Sequence, residues 1–199
     1  MEEFVAMKKK KFVPNAPEHI YQRAVDHGVI FYRIEDYLVI FTIISIISKK
    51  HGITIMSICF MINHIHILMS SPFSKARSMA VDEYTSMFAK QFNHSFHRKG
   101  PLFDKEFGRA MKIGDKKVRT CEAYIANNPV EKSICSSARE YRWNFLAYYK
   151  NDSPFSEEIN YAKCSKWMKI AIATVDRIYA EDNYIRYEVL PDFITFPSF

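Results

Sequence analysis

The sequence predicts an α+β fold in which helices cover one face of an antiparallel sheet. Among the 199 residues, 48% are apolar and 25% are charged, which is typical of an ordinary globular protein. Short Ile-rich segments bounded by turn residues alternate with longer segments of helical periodicity. These segments follow one another in the order strand, helix, strand, strand, helix, strand, helix.

The first part of the chain is predicted to contain three strands and one helix. Residues 18–25 are compatible with a strand. Residues 34–50 are predicted to be a helix, because acidic residues stand near the start and two lysines at the end, as the helix dipole favours. Gly52 is suited to the C-cap of this helix. Residues 53–61 and 64–69 then form a hairpin of two strands, in which alternate residues share a face.

Two further helices and an extended segment are predicted after this hairpin. Residues 74–96 carry large apolar side chains at helical spacing, and residues 103–113 are extended. Residues 115–127 are predicted to be a helix with Asp115 as its N-cap. The first six elements match a split βαβ, ferredoxin-like layout, with one sheet covered by helices on one face.

The charge is distributed unevenly along the chain. The whole sequence carries a net charge of +6. Residues 151–199 carry five basic and eight acidic side chains, so residues 1–150 carry 23 basic and 14 acidic ones, a net charge of +9. We therefore expect an anion-binding function in a domain over residues 1–150. Residues 151–199 are expected to form a helical C-terminal extension that packs on the core or on a partner.

Composition and patterning argue against several classes of protein. Four cysteines without a C-x-x-C pair make a disulfide scaffold or a structural zinc site unexpected. No secretory signal is evident, and the longest apolar stretches are shorter than the roughly 20 residues that a membrane span needs. No glycine-rich phosphate loop occurs. We therefore expect a cytoplasmic protein without a membrane segment and without a nucleotide cofactor.

The most informative motif is Asn-His-Ile-His in the second strand of the hairpin. In a strand, His64 and His66 project to the same face, about 6.5–7 Å apart along the chain. Their imidazole nitrogens could therefore converge on one metal ion. In the alternative interpretation, one histidine is packed and hydrogen-bonded in the core and the other is exposed on the sheet. The motif by itself leaves both interpretations open.

A second candidate pair lies in the last predicted helix. Tyr124 and Asn128 stand four residues apart and so share a helix face, where they could offer a nucleophile and a third metal ligand. Tyr124 could instead be a core aromatic residue with its hydroxyl at the surface. Asn128 precedes Pro129, which disfavours a helical conformation at that position. With Glu131 three residues further on, Asn128 could also cap the following turn.

These motifs together resemble those of the HUH single-tyrosine transposases, most of all the REP-associated tyrosine transposase branch. The resemblance rests on His-hydrophobic-His in a central strand followed by Tyr-Ile-x-x-Asn-Pro-Val, and on the segments His-Ile-Tyr-Gln-Arg and Arg-Lys-Gly-Pro-Leu-Phe. It covers roughly residues 15–147. Two positions depart from the family pattern, since Ile62 stands where the family commonly has Pro and Asn128 where related transposases often have Gln.

The resemblance implies metal-dependent cleavage and rejoining of single-stranded DNA, at hairpin or palindromic ends, by a homodimer. By that resemblance, Tyr124 is the nucleophile that forms a 5′-phosphotyrosine. His64, His66 and Asn128 then hold a divalent metal, Mg²⁺ or Mn²⁺. The alternative function is that of a domesticated, non-catalytic module that binds DNA or RNA hairpins on the same scaffold.

Binding of single-stranded DNA requires positive charge along the nucleic-acid backbone. We expect the basic residues between positions 98 and 119 to form a groove or a rim that supplies it. The eight candidates are Arg98, Lys99, Lys105, Arg109, Lys112, Lys116, Lys117 and Arg119.

Overall fold

A computed structural model describes residues 12–144 of the chain. Four strands and three longer helices are present in this part, together with short 3-10 turns at Val25–His27 and Ala138–Glu140. In chain order the elements are β1 Glu18–Arg23, α1 Ile34–His51, β2 Thr54–Met61, β3 His64–Ser70, α2 Ser74–Ser95, β4 Gly108–Met111 and α3 Asp115–Glu131.

The four strands form one antiparallel sheet in the spatial order β2-β3-β1-β4. This order is the one that a split βαβ, ferredoxin-like layout requires, because β3 is inserted between β1 and β2. The predicted fold class is therefore confirmed. Strands β3 and β1 occupy the centre of the sheet, and the hairpin of β2 and β3 has the predicted position in the chain.

The larger hydrophobic core lies between one face of the sheet and helices α1 and α2. Strand residues of alternating position, such as Ile20, Ile65 and Ile67, are completely or almost completely buried there. They pack with α1 and with the α2 aromatic residues Tyr84 and Phe88. Burial of this apolar surface is the main source of stability for the domain.

A second, smaller core lies between the opposite face of the sheet and α3. It consists of Cys59, Met61 and Leu68 from β2 and β3, together with Cys121 and Ile125 from α3. In this respect the structure differs from the prediction that helices cover one face. Helices α1 and α2 cover one face of the sheet, as predicted. Helix α3, which follows the six elements of the split βαβ layout, packs its apolar residues on the other face.

The two ends of helix α1 agree with the sequence interpretation, whereas the start of α3 does not. Gly52 follows α1 with φ 63° and ψ 34°, the left-handed conformation typical of a C-cap. At α3 the N-cap is Gly114, not Asp115, which is the first helical residue. Gly114 has φ 89°, a conformation that a residue with a side chain adopts only with strain, so a glycine suits this position. The helix therefore begins one residue earlier than an N-cap at Asp115 implies.

Helix α3 also continues past its predicted end at Asn127, through Pro129 to Glu131. Proline lacks the N–H that would bond to the carbonyl four residues earlier, and this loss normally disfavours a helix interior. Asn128 and Pro129 are both buried against the rest of the domain. Tertiary packing thus outweighs the local preference, and it keeps Asn128 on the same helix as Tyr124.

The C-terminal extension predicted over residues 151–199 lies outside the described residues. In the described part of the chain, no helix has the length and apolar character needed to cross a membrane.

Candidate active site

Three histidines lie on the face of the sheet that α3 covers. Strand β3 places His64 and His66 on this face, and their ring centroids are 4.9 Å apart. On the neighbouring strand β1, Tyr21 pairs with His66, so His19, two residues earlier, points to the same face. The ring centroids of His19 and His66 are 5.1 Å apart. The three imidazoles therefore form one cluster across two strands.

These imidazoles are held in the neutral form at pH 7. His66 is only 6% exposed, and burial, followed by the neighbouring His64 and His19, lowers the pKa of His66 to about 3. Burial, followed by the charge of Lys112, lowers the pKa of His19 to about 4. Burial also lowers the pKa of His64. A neutral imidazole keeps one nitrogen lone pair, which is the form that accepts hydrogen bonds and binds metal ions.

Helix α3 brings Tyr124 and Asn128 over the histidine cluster. Asn128 is 4% exposed, and its Nδ2 donates a hydrogen bond to His66 Nε2 at 3.2 Å. The Tyr124 side chain is 44% exposed, and its ring lies edge-on to the rings of His66 and His19, with centroid distances of 5.6 and 5.8 Å. The structure thus brings together the four residues that the sequence motifs single out.

The alternative roles of Tyr124 and Asn128 do not match this geometry. A core aromatic residue with only its hydroxyl at the surface would be largely buried, whereas almost half of Tyr124 is open to solvent. A capping residue would stand at a helix end with its side chain on backbone N–H groups. Asn128 lies within α3, and its side chain reaches His66 across to the sheet. Its Oδ1 atom is buried and has no hydrogen-bond partner.

Hydrogen bonds orient His64 at the edge of the cluster. Asn63 Nδ2 donates to the carbonyl oxygen of His27 at 3.3 Å, which leaves Asn63 Oδ1 as an acceptor. His64 Nδ1 lies 2.7 Å from that oxygen and donates to it. The Nδ1 proton is therefore used within the hairpin turn, and His64 Nε2 retains its lone pair.

A cleft of about 450 Å³ opens over these residues. His64, His66, Tyr124 and Asn128 all line it. Its wall also contains Arg23 from the end of β1 and Lys132 from the end of α3, as well as the exposed apolar side chains of Ile62 and Ile134. The cleft therefore combines cationic and apolar groups beside the histidine cluster.

The eight basic residues predicted from the sequence lie around the domain rather than in the wall of this cleft. Lys112 is near enough to His19 to lower its pKa. Arg109 lies on the opposite face of the sheet, where its Nη1 is 3.6 Å from Glu18 Oε1. Arg98 donates to Asn93 Oδ1. The other candidates are exposed, in the loop before β4 or on the first turns of α3: Lys99, Lys105, Lys116, Lys117 and Arg119.

Sequence reasoning missed three residues of this region, namely His19, Arg23 and Lys132. A signal for the first two was present, because His19, Tyr21 and Arg23 alternate in a strand and so share a face. The position of that face opposite His66 depends on the register between β1 and β3, which the pattern does not reveal. Lys132 enters the cleft because α3 extends beyond its predicted end.

Within residues 12–144, no group of three or more His, Cys, Asp or Glu side chains is arranged to hold a metal ion. The donor set at this cluster is of a different kind. It consists of the two imidazoles of His64 and His66 and the amide of Asn128.

Comparisons with known proteins point to one family. Residues 26–128, just over half of the chain, match the family model described as "Transposase IS200 like". A solved structure of a REP-associated tyrosine transposase bound to a REP hairpin has a similar fold. Its TM-score is 0.58 at 14% sequence identity, and the match covers 83% of this chain and 96% of that chain.

A second solved structure is that of a candidate transposase from Deinococcus radiodurans R1. It matches with a TM-score of 0.43 at 16% sequence identity, over 61% of this chain and 97% of that chain. No curated protein matches the sequence.

Proposed function

The chain belongs to the family of IS200-like transposases, and from this premise we propose that it cleaves and rejoins single-stranded DNA through a 5′-phosphotyrosine on Tyr124. One observation supports the proposal above all others. The half-exposed Tyr124 ring lies against the buried His66 ring, in a cleft that His64 and Asn128 also line. A nucleophile and a set of metal-binding groups are thereby accessible to the same phosphate.

In the proposed reaction, the Tyr124 hydroxyl oxygen attacks the phosphorus atom of a DNA phosphodiester. The new bond joins that oxygen to phosphorus, and the bond from phosphorus to the 3′-oxygen breaks. The phenol loses its proton, and the released 3′-oxygen gains one. Because the covalent intermediate retains a phosphodiester bond, attack by a 3′-hydroxyl reverses the step and rejoins DNA without an external energy source.

We further propose that His64, His66 and Asn128 hold a divalent cation. The residues fit this role, because both imidazoles are neutral and the buried Asn128 Oδ1 makes no hydrogen bond in the structure. For His66 Nε2 to bind the cation, the Asn128 amide must give up the hydrogen bond that its Nδ2 donates to that nitrogen. Mixed nitrogen and oxygen donors suit Mn²⁺ at least as well as Mg²⁺, which prefers oxygen. When bound, such a cation polarises a phosphate and stabilises the charge that develops on it in the transition state.

The proposed substrate is DNA with hairpin or palindromic single-stranded ends. The relative with a similar fold is bound to a REP hairpin, which supports a hairpin as the recognised element. Arg23 and Lys132 line the cleft and can neutralise phosphates next to the cleaved one. The eight basic residues between positions 98 and 119 are proposed to contact DNA beyond the cleft. A homodimer is the proposed assembly.

The test uses a hairpin oligonucleotide with a single-stranded flank, labelled at its 3′ end, because the 3′ fragment becomes attached to Tyr124. The full chain should form an adduct that survives SDS in the presence of Mn²⁺ and disappears with EDTA. Tyr124→Phe should form none. Tyr32→Phe is the matched control, since Tyr32 is 61% exposed and packs on Phe92 of α2 and on Phe96 directly after this helix, outside the cleft. An adduct of equal yield from Tyr124→Phe would overturn the assignment of the nucleophile.

The same experiment separates catalysis from the alternative function of a non-catalytic hairpin-binding module. A catalytic protein should bind the hairpin and form the adduct. A binding module should retard the hairpin in a native gel but give no adduct with any divalent cation, and Tyr124→Phe should then be indistinguishable from the parent protein.

A further inference from the structure

The hydrogen bond between His19 and His66 joins two buried imidazoles on neighbouring strands. His19 Nε2 and His66 Nδ1 are 3.0 Å apart, and the two side chains belong to residues that are 7% and 6% exposed. At this distance one nitrogen must donate and the other must accept, because two lone pairs or two N–H groups would repel each other. The direction of this bond therefore determines where His66 carries its proton.

The contact on the other side of the His66 ring settles that direction. Asn128 Nδ2 lies 3.2 Å from His66 Nε2, and an amide nitrogen can only donate. His66 Nε2 is therefore the acceptor and carries the lone pair. Because the neutral ring has one proton, that proton is on Nδ1 and is donated to His19 Nε2. The lone pair of His66 is thus turned towards Asn128, on the side of the cleft.

His19 is placed to hold the proton of His66, because its Nε2 accepts the Nδ1–H on the side of the His66 ring that is turned away from Nε2. His19 is not among the residues that line the cleft. The position of His19 follows from the register of β1 and β3, in which Tyr21 pairs with His66 and His19 lies diagonally opposite. Two rigid strands at the centre of the sheet therefore fix both partners.

We propose that His19 is a positioning residue that accepts the Nδ1–H of His66 and thereby fixes the orientation of the His66 ring, so that His66 Nε2 faces the cleft as an unprotonated donor. Histidine ligands of metal ions characteristically donate their other N–H to such a partner, and loss of the partner weakens metal binding by about 10–100-fold. This consequence for metal binding rests on the proposed function. The tautomer of His66 can be measured without metal or DNA.

The first measurement is a two-bond ¹H–¹⁵N correlation spectrum of the full chain in EDTA, which reports which ring nitrogen of His66 carries the proton. The parent protein should show Nδ1–H. His19→Phe, which keeps a ring but has no acceptor, should leave the Nδ1–H of His66 without a partner, and that proton should exchange with water faster than in the parent protein. His19→Gln, whose amide oxygen can accept from Nδ1–H, should restore the slow exchange. Tyr21→Phe is the control, because its ring lies beside His19 on the same strand.

The second measurement is the affinity for Mn²⁺, with circular dichroism confirming that each variant is folded. The dissociation constant should rise about 10–100-fold in His19→Phe and should return towards the parent value in His19→Gln. A parent protein with Nε2–H on His66, or a His19→Phe variant whose Nδ1–H exchanges as slowly as in the parent protein, would overturn the inference. If the proton exchange changes as expected but the parent protein binds no Mn²⁺, the proposed metal site fails and the positioning role of His19 stands.

Discussion

The two faces of the sheet are built from the same strands but carry different chemistry. Towards α1 and α2, strand β3 presents Ile65 and Ile67, which are sealed in the larger core. Towards α3, the same strand presents His64 and His66, which line an open cleft. One residue of displacement along a strand thus separates a position that contributes to stability from one that contributes to the site.

The difference between the two faces shows how the domain separates the residues that stabilise the fold from the residues of the candidate site. The face under α1 and α2 is broad and apolar, and it accommodates the buried ion pair between Glu18 and Arg77, at 2.7 Å. The face under α3 has a small apolar cluster beside neutral imidazoles and an amide. Substitutions on the first face should therefore change the free energy of unfolding, and those on the second should change metal and DNA chemistry.

The largest expected loss of stability comes from breaking the buried ion pair. Arg77→Met should lower the free energy of unfolding by about 3–5 kcal/mol, because it leaves the Glu18 carboxylate buried without its close partner. Chemical denaturation of the metal-free protein measures this loss. The double variant Glu18→Leu/Arg77→Met should recover much of it, and a double variant as unstable as Arg77→Met would contradict this account.

A pair of adjacent residues on β3 gives a direct contrast between the two faces. Ile65→Ala should lower the free energy of unfolding by about 2–5 kcal/mol through loss of buried apolar volume, and the folded protein should keep its Mn²⁺ affinity. His64→Ala, at the half-buried neighbouring position, should cost about 1 kcal/mol or less and should abolish tight Mn²⁺ binding. Denaturation and Mn²⁺ titration of both variants test this. Equal losses of unfolding free energy in Ile65→Ala and His64→Ala would contradict the proposed difference between the two faces of the sheet.

Two adjacent asparagines on α3 sharpen the comparison further. Asn128 is buried against His66, whereas Asn127 is exposed. Asn128→Ala should weaken Mn²⁺ binding at least about tenfold, whereas Asn127→Ala should leave it unchanged. Isothermal titration with Mn²⁺ distinguishes the two. Unchanged binding in Asn128→Ala would exclude its amide from the proposed ligand set.

The smallest expected effect concerns the salt dependence of hairpin binding. Lys132 lines the cleft, whereas Lys90 is exposed on α2, on the other side of the sheet from the cleft. Lys132→Ala should reduce the slope of log affinity against log salt by about 0.7, the value for one lost phosphate contact on a single strand. Lys90→Ala should leave the slope unchanged. A reduced slope in Lys90→Ala together with an unchanged slope in Lys132→Ala would place the DNA on the other face of the sheet.

The sequence was sufficient for those features that depend on local pattern. The order of strands and helices, and the shared face of His64 and His66, follow from periodicities of two and 3.6 residues. Features that depend on the approach of distant segments were not accessible. The contact of His19 with His66 requires the β1–β3 register, and the continuation of α3 through Pro129 requires burial against the sheet. Arg23 and Lys132 also meet at the cleft only through the approach of segments that are distant in the sequence.

The identity of the tyrosine that becomes linked to DNA tests the central claim most directly. Trypsin cleavage after Arg119 and Lys132 releases residues 120–132, a peptide of 13 residues whose only tyrosine is Tyr124. After reaction with the hairpin and Mn²⁺, and digestion of the DNA, mass spectrometry should find this peptide carrying a 5′-linked nucleotide phosphate. Linkage to any other peptide, or an unmodified peptide from protein that has cleaved the DNA, would contradict the assignment of Tyr124 as the nucleophile.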